Sequence, residues 1–371
     1  MKFDSLGNVC TKVTDYVANG SFKSLKENVT YEDRQNGYAA LIRLADYRNQ
    51  FKGPFQYIDK HGYDYLKKTK LYGNEIVISN VGAHLGTVFR VPKLHLPMSL
   101  GPNSIVISTK YNDDYYYYYL TSPVGQSLMR SIVSGSAQPK FNKTDFKKLL
   151  VPVPSLDEQN RIAGKLLTID KKIRINRQLN ANLLNLANTL FKHYFPDINT
   201  GTDKIGDYIK NFDKLRKPLS KKQRSEIPGK YRYIGATSVN DHIDKYNFDG
   251  IYLLLGEDGT VQDEYGFPIL QYTFGKFWPN NHAHVLQGKN VSTEWLYLYF
   301  SQRNISGIVT GAVQKKVSQK NMNSLKFKLP DSQELKKFDK IIQPLFSKIR
   351  STKLENYHLE ELKRVLLTKL F

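Results

Sequence analysis

The chain has 371 residues, with 55 Lys plus Arg against 34 Asp plus Glu and a formal net charge of +21. That length suits two or three domains. With 40% hydrophobic and 12% aromatic residues it is too apolar for a disordered basic tail. No apolar run approaches the roughly 18 residues of a membrane span. Asp4 also stands where a signal peptide would begin its apolar region, so a cytoplasmic protein with no membrane partner is expected. The single cysteine, Cys10, excludes an intramolecular disulfide and any zinc site built from cysteines of this chain.

Positive charge of this size favours a polyanion, because each phosphate neutralised releases condensed counterions. A solubility charge or ribosome association would also account for it. The basic residues recur within aromatic sequence, as in Tyr65-Leu66-Lys67-Lys68-Thr69-Lys70 and in the stretch from Asp213 to Arg224. In chain order, Glu75–Ser79, Ser104–Ser108 and Ile251–Leu255 are short strand-like runs bounded by Gly, Asn and Pro. Tyr115–Tyr119 begins a short helix or strand, and Trp295–Phe300 holds the comparable place later in the chain.

The chain repeats itself. At an offset of 176, Gly135–Phe195 lies on Gly311–Phe371 without a gap; Gly135/Gly311, Gln138/Gln314, Lys140/Lys316, Pro154/Pro330, Ile173/Ile349, Asn180/Asn356 and Phe195/Phe371 are among the identities. Leu6-Gly7-Asn8-Val9 resembles Ile205-Gly206-Asp207-Tyr208 at an offset of 199, so the second unit is 199 − 176 = 23 residues shorter in its front part.

Each unit ends in a long helix. Ser155 and Glu158 after Pro154 form a capping-box pattern, and Asp331-Ser332-Gln333-Glu334 after Pro330 repeats it. Ile162, Leu166, Ile169, Ile173, Asn176, Asn180, Leu183, Ala187, Leu190 and Tyr194 then follow at alternating steps of four and three. Phe338, Ile342, Leu345, Ile349, Thr352, Asn356, Leu359, Lys363, Leu366 and Leu370 keep the same register. This period marks a coiled-coil seam with polar residues at its middle. The two helices are expected to pair with each other, antiparallel. Pro344 should kink the second helix or shift its start. Lys363 fits a seam poorly, so drift toward Leu362 is expected beyond Asn356.

The motifs of self-contained chemistry are missing. Asp331 with Glu334 and Lys336 shares the first turn of a helix, where a metal nuclease would need converging strands. His282-Ala283-His284 lacks a third ligand nearby and reads as a satisfied structural pair, so no metal site is expected. Gly256-Glu257-Asp258-Gly259-Thr260 lacks the lysine and spacing of a phosphate loop. There is no Pro-Pro for an amino-methyltransferase motif, and Gly82-Ala83-His84-Leu85-Gly86 reads as a tight turn.

The order of variable domain, Pro-capped long helix, variable domain and second such helix resembles the specificity subunit of type I restriction-modification systems. The resemblance spans essentially the whole chain. It is most specific in Val151–Ile162 and Leu186–Phe195, and Gly135-Ser136-Ala137-Gln138 with Lys140 resembles the loop that precedes the helix in this family. It implies an α+β fold: two mixed α/β target recognition domains joined by two long helices that pair as an antiparallel coiled coil, a pseudo-two-fold tandem repeat. The domains would be residues 1–152 and 197–329, with helices in 153–196 and 330–371. It further implies a non-catalytic subunit whose two domains each read half of a bipartite site in double-stranded DNA. The helices, about 60 Å long at 40 residues, would set the spacer. Two modification subunits would carry S-adenosylmethionine and methylate adenine, and restriction subunits using ATP and Mg can join them. This chain itself would need no cofactor. Leu335 stands where the first copy has Gln159.

Candidate DNA contacts are Lys67, Lys68, Lys70, Asn80, Gln138, Lys140, Lys143, Lys214, Arg216, Lys217, Lys221, Lys222, Arg224, Lys276, Gln314, Lys315 and Lys316. Lys and Arg would position phosphates while Asn, Gln and Arg read base edges. Unequal, dissimilar domains should read an asymmetric target. A DNA-bridging or regulatory coiled-coil protein without partner subunits, and a self-contained methyltransferase or nuclease, are the alternatives.

Overall fold

The protein is described by a computed structural model covering residues 2–311 and 313–371. It forms two compact units. Unit 1 runs to Ile173 and takes in Tyr357–Phe371; unit 2 is Arg174–Asn356. Both divisions fall inside the long helices, so each unit is a head plus a segment of each helix.

Unit 1 opens with a ribbon in which Phe3–Ser5 pairs antiparallel with Leu150–Pro152. A four-stranded antiparallel sheet follows, in the order Cys10–Asp15, Ser104–Thr109, Ile76–Ser79, Val88–Arg90. Its two central strands place Ile105 opposite Ile78 and Val106 opposite Val77. All four are fully buried, which is why these strands read as continuous apolar runs without alternation. A second sheet, ordered Tyr31–Glu32, Gln56–Ile58, Ala39–Ile42, Met98–Leu100, Lys70–Leu71, escaped the sequence patterns because its strands are two to four residues long. The tyrosine run is a helix, Asp113–Thr121, capped by Asn112, whose side chain accepts from the Tyr115 amide at 3.0 Å. It buries Tyr115, Tyr116, Tyr118 and Tyr119. Burial, with Asp113 adding to it, pushes the Cys10 thiol up to about 12.

Unit 2 repeats this frame with different contents. Asp203–Lys204 pairs with Lys326–Phe327. The sheet has six strands, ordered Ile209–Asn211, Ala283–Gly288, Phe248–Gly256, Leu270–Pro279, Pro228–Ile234, Val239–Ile243. The helix Thr293–Ser301 is capped by Ser292, and its Trp295 stacks on Tyr299 at 5.7 Å.

The central helix runs Leu156–Tyr194 and the second long helix Ser332–Leu370. In unit 1 the early residues Ile162 and Leu166 share a core with Leu366, Leu367, Leu370 and Phe371. In unit 2 the late residues Leu183, Ala187, Leu190 and Phe191 share one with Phe338, Ile342, Leu345, Phe346 and Ile349. The pairing is therefore antiparallel. Ile169, Ile173 and Asn356 are buried and Asn180 and Leu359 half-buried, in the expected register. Toward the head of unit 2 the seam widens, because Phe191 and Phe346 are buried while Leu190 and Leu345 are only half-buried. Each such aromatic contributes about 1.5–3 kcal/mol on burial.

Two expectations are corrected, at Lys363 and at the Glu158 capping box. Lys363 stays in the seam and Leu362 is exposed, because Lys363 Nζ lies 2.7 Å from Asp170 and 5.3 Å over the Tyr118 ring. Pro344 sits within a helix that already begins at Ser332, so the start is not shifted. Ser155 does accept from the Glu158 amide at 3.3 Å, but the Glu158 carboxylate binds Arg161 at 2.6 Å and does not reach back. At the second helix the cap is Asp331, which accepts from the Gln333 amide at 2.8 Å. The polar middle is hydrogen-bonded: Asn176 donates to Asn356 at 2.9 Å and to Glu355 at 2.8 Å, and Thr352 donates to Asn180 at 2.5 Å.

Candidate nucleic-acid interface

Each head presents one loop built the same way. In unit 1, Ser134 and Lys140 exchange backbone hydrogen bonds at 2.8 and 2.9 Å, Gly82 donates to the Pro139 carbonyl at 2.8 Å, and Phe141 donates to the Asn80 carbonyl at 3.1 Å. In unit 2, Thr310 and Lys316 exchange bonds at 2.9 and 2.7 Å, Gly259 donates to Lys315 at 2.9 Å, and Val317 donates to Glu257 at 2.8 Å. The turns need Gly135 and Gly311, whose φ values of 85° and 88° are left-handed. A Cβ at Gly311 would also stand 2.1 Å from the Gln314 carbonyl oxygen. Gln138, Lys140, Gln314, Lys315 and Lys316 are all exposed on these loops.

What anchors the loops differs. In unit 1, Lys143 Nζ lies 2.9 Å from Asp15, and Asn80 donates its Nδ2 to Phe141 at 3.0 Å. In unit 2, Gln319, the counterpart of Lys143, donates to Asp213 at 2.7 Å. His284, 1% exposed, sits 2.6 Å from Asp213 through Nδ1 and 2.8 Å from the Val317 carbonyl through Nε2. Arg216 Nη1 donates to Glu257 at 2.6 Å and to the Ala283 carbonyl at 2.7 Å. Burial opposes the Asp213 charge, but the bond and charge of His284, the Val285 amide and Asn211 prevail, and hold its carboxyl well below the usual carboxylate range.

Asp213, Glu257 and His284 place ligand-type atoms within 4.8 Å of one another. The Arg216 guanidinium already supplies the positive charge there, and the set reads as an ion-pair network. His282 stands apart, exposed and 2.5 Å from Asp258.

The remaining candidates divide by exposure. Lys67, Lys68, Lys214, Lys217, Lys221, Lys222 and Lys276 are exposed, with Lys68 Nζ also donating to the Ala18 carbonyl at 2.8 Å and Lys276 lying 4.5 Å over the Tyr246 ring. Five others are turned to internal partners. Lys70 pairs with Asp64 at 3.2 Å and lies 4.1 Å over Tyr63. Arg224 binds Asp241 at 3.2 Å and the Leu219 carbonyl at 2.7 Å. Lys143, Asn80 and Arg216 are the anchors described above. Sequence reasoning gave no individual role to Asp213, Glu257 or Gln319. The Gly256–Thr260 and Asn281–His284 segments were the signals that something was built there.

The type I restriction modification DNA specificity domain model matches residues 2–185 and again 202–364, one match per repeat. The chain belongs to this specificity family. The chain is similar to a Haemophilus influenzae protein named as a putative type I restriction enzyme specificity subunit, 30% identical over 129 residues, an alignment spanning 34% of this chain and 32% of that relative. The MjaIX specificity subunit of Methanocaldococcus jannaschii is 22% identical over 76% of this chain and 73% of that one. In fold, this family member resembles the crystal structure of a type I restriction-modification system S subunit from M. genitalium, with a TM-score of 0.52 at 17% identity, covering 100% of this chain and 96% of that one. The specificity-family fold thus accounts for both heads and both helices.

Proposed function

We propose that this chain is the non-catalytic DNA-recognition subunit of a type I restriction-modification complex, each head reading one half of an asymmetric bipartite target. The duplicated loop carries the reading: one backbone frame in both repeats exposes Gln138 and Lys140 in one and Gln314, Lys315 and Lys316 in the other. Glutamine can pair with base edges and lysine can neutralise phosphates. Different anchors behind the two loops support different half-sites. Two modification subunits supply S-adenosylmethionine and methylate adenine, and restriction subunits bring ATP and Mg. Leu354, Tyr357, Leu362 and Val365 remain exposed along the second long helix, apolar surface that a partner subunit can cover.

The experiment is to express the chain with a neighbouring modification subunit and read the methylated motif base by base. Replacing residues 1–152 with another head should change one half of that motif and keep the other. Labelled methyl transfer to DNA by the purified chain alone, or a change in both halves, would overturn the proposal.

A further inference from the structure

Unit 1 holds a cavity of about 290 Å³ beside its loop, with Phe22 and Tyr31 at the rim and Asp15, Asn80 and Ser104 among its lining. Phe22 is 84% exposed and Tyr31 55%, so two aromatic faces stand free. Asn80 Oδ1 and Ser104 Oγ are buried without a hydrogen-bond partner, although Ser104 is only 2% exposed. Buried polar atoms rarely stay unpaired, and those that do call for a missing partner. No lysine or arginine is among the described residues lining the cavity.

The second repeat shows what such a frame accepts. Glu257 is the counterpart of Asn80, since each takes the amide that follows its loop. Ala283 is the counterpart of Ser104, each opening a six-residue strand paired to the strand before that residue. In unit 2 the chain itself fills the place: the planar Arg216 guanidinium donates N–H groups to Glu257 and to the Asn281 and Ala283 carbonyls. Unit 1 has the acceptors and no arginine.

We propose that the unit 1 cavity receives the amino-bearing edge of a DNA base, adenine N6 or cytosine N4, stacked at the Phe22 and Tyr31 rim. Its volume sits at the lower end for small-molecule pockets and suits a single heterocycle. The acceptors Asn80 Oδ1 and Ser104 Oγ match exocyclic amino donors, and the Asp15 carboxylate, whose Oδ1 takes Lys143 at 2.9 Å, disfavours phosphate. Thymine offers no such donor. The proposal rests on the reading of unit 1 as a DNA-recognition head, and it identifies which bases that head selects.

The test titrates the full chain with adenosine, cytidine and thymidine, followed by NMR. Adenosine or cytidine should bind at least about tenfold tighter than thymidine. Ser104→Ala and the surface change Phe22→Ala, each with an unchanged NMR fingerprint of the free chain, should each weaken that preference. Equal binding of the three nucleosides, or variants with unchanged preference, would overturn the cavity assignment. In the complex with its modification subunit, Asn80→Leu and Ser104→Ala should relax one base pair in one half of the methylated motif. An unchanged motif also refutes the cavity, whereas a wild-type complex that methylates no bipartite motif refutes the underlying function.

Discussion

Replacing Arg216 with Met separates an internal ion pair from a DNA contact. The Arg216 side chain is 12% exposed and Glu257 16%, and they meet at 2.6 Å. Stripping one member from a buried pair costs about 3–5 kcal/mol, because the other charge is left uncompensated. His284 at 3.6 Å and Lys316 at 3.7 Å still face Glu257, so the lower end, about 3 kcal/mol, is expected. Unit 2 spans 356 − 174 + 1 = 183 residues, a size for which 1 kcal/mol shifts Tm by about 2–4 °C. The expected fall is therefore about 6–12 °C. Both tryptophans, Trp278 and Trp295, lie in unit 2, so intrinsic fluorescence follows that unit. Exposed Lys217→Ala should move the same melt by less than about 2 °C. The salt dependence of DNA binding should be unchanged in Arg216→Met at temperatures where it is folded. A melt that does not move, together with a salt slope reduced by about one unit, would make Arg216 a phosphate contact and refute the reasoning.

Lys315→Ala with Lys316→Ala should flatten the salt dependence of DNA binding by about one to two units without moving the tryptophan melt; an unchanged slope would leave both in solvent. Asp213 is depressed in the folded state, so its stabilisation is present above its unfolded value of about 3.9 and is lost as pH falls below it. The unit 2 melt should accordingly drop more steeply below about pH 4 in the wild type than in Asp213→Asn, and identical acid limbs would contradict this. In the helix seam, Asn176→Leu alone should cost about 1–3 kcal/mol by removing the amide donor that Asn356 and Glu355 accept from, while Asn176→Leu with Asn356→Leu should recover part of it. Equal melts for single and double variants would mean that the polar layer is not coupled. Lys363→Met should lower the melting temperature of unit 1 by exposing Asp170 to an unmatched half-buried site, and Asp170→Asn in the same background should restore it; no difference between the two would remove the pair from the seam's stability.

The duplication and the seam were legible because both are written as spacings along one strand of sequence. Ile162 to Tyr194 needs only a period, and Gly135 against Gly311 needs only an offset. The anchors of the loops were not, since His284 meets Asp213 across 71 residues of chain and gains its meaning only when strands align. The basic stretch from Asp213 to Arg224 shows the same limit at shorter range. Its arginines, Arg216 and Arg224, turn inward while Lys214, Lys217, Lys221 and Lys222 stay exposed. A guanidinium offers several donors in a fixed plane and is weakly hydrated, so it suits internal carboxylates and carbonyls; an ammonium keeps its water. Charge counting treats the two alike. Lys363 was misplaced for the reverse reason: its partner Asp170 stands 193 residues away, and without it a seam lysine looks like an error.

The way unit 1 draws on the chain governs when it can be finished during synthesis. Its last segment, Tyr357–Phe371, sets Phe371 against Tyr115 and Tyr119 at 5.4 and 5.7 Å. A ribosome that has completed Ile173 must add 371 − 173 = 198 further residues before those rings can meet. At about 5–20 residues per second that is roughly 10–40 s. Through that interval the tyrosine helix keeps an uncovered apolar side, exposed to chaperones and proteases, whereas unit 2 is contiguous and can close as soon as Asn356 has emerged. The head made first is therefore the one completed last, and a chain broken off before residue 357 would release an intact second head beside an unsealed first.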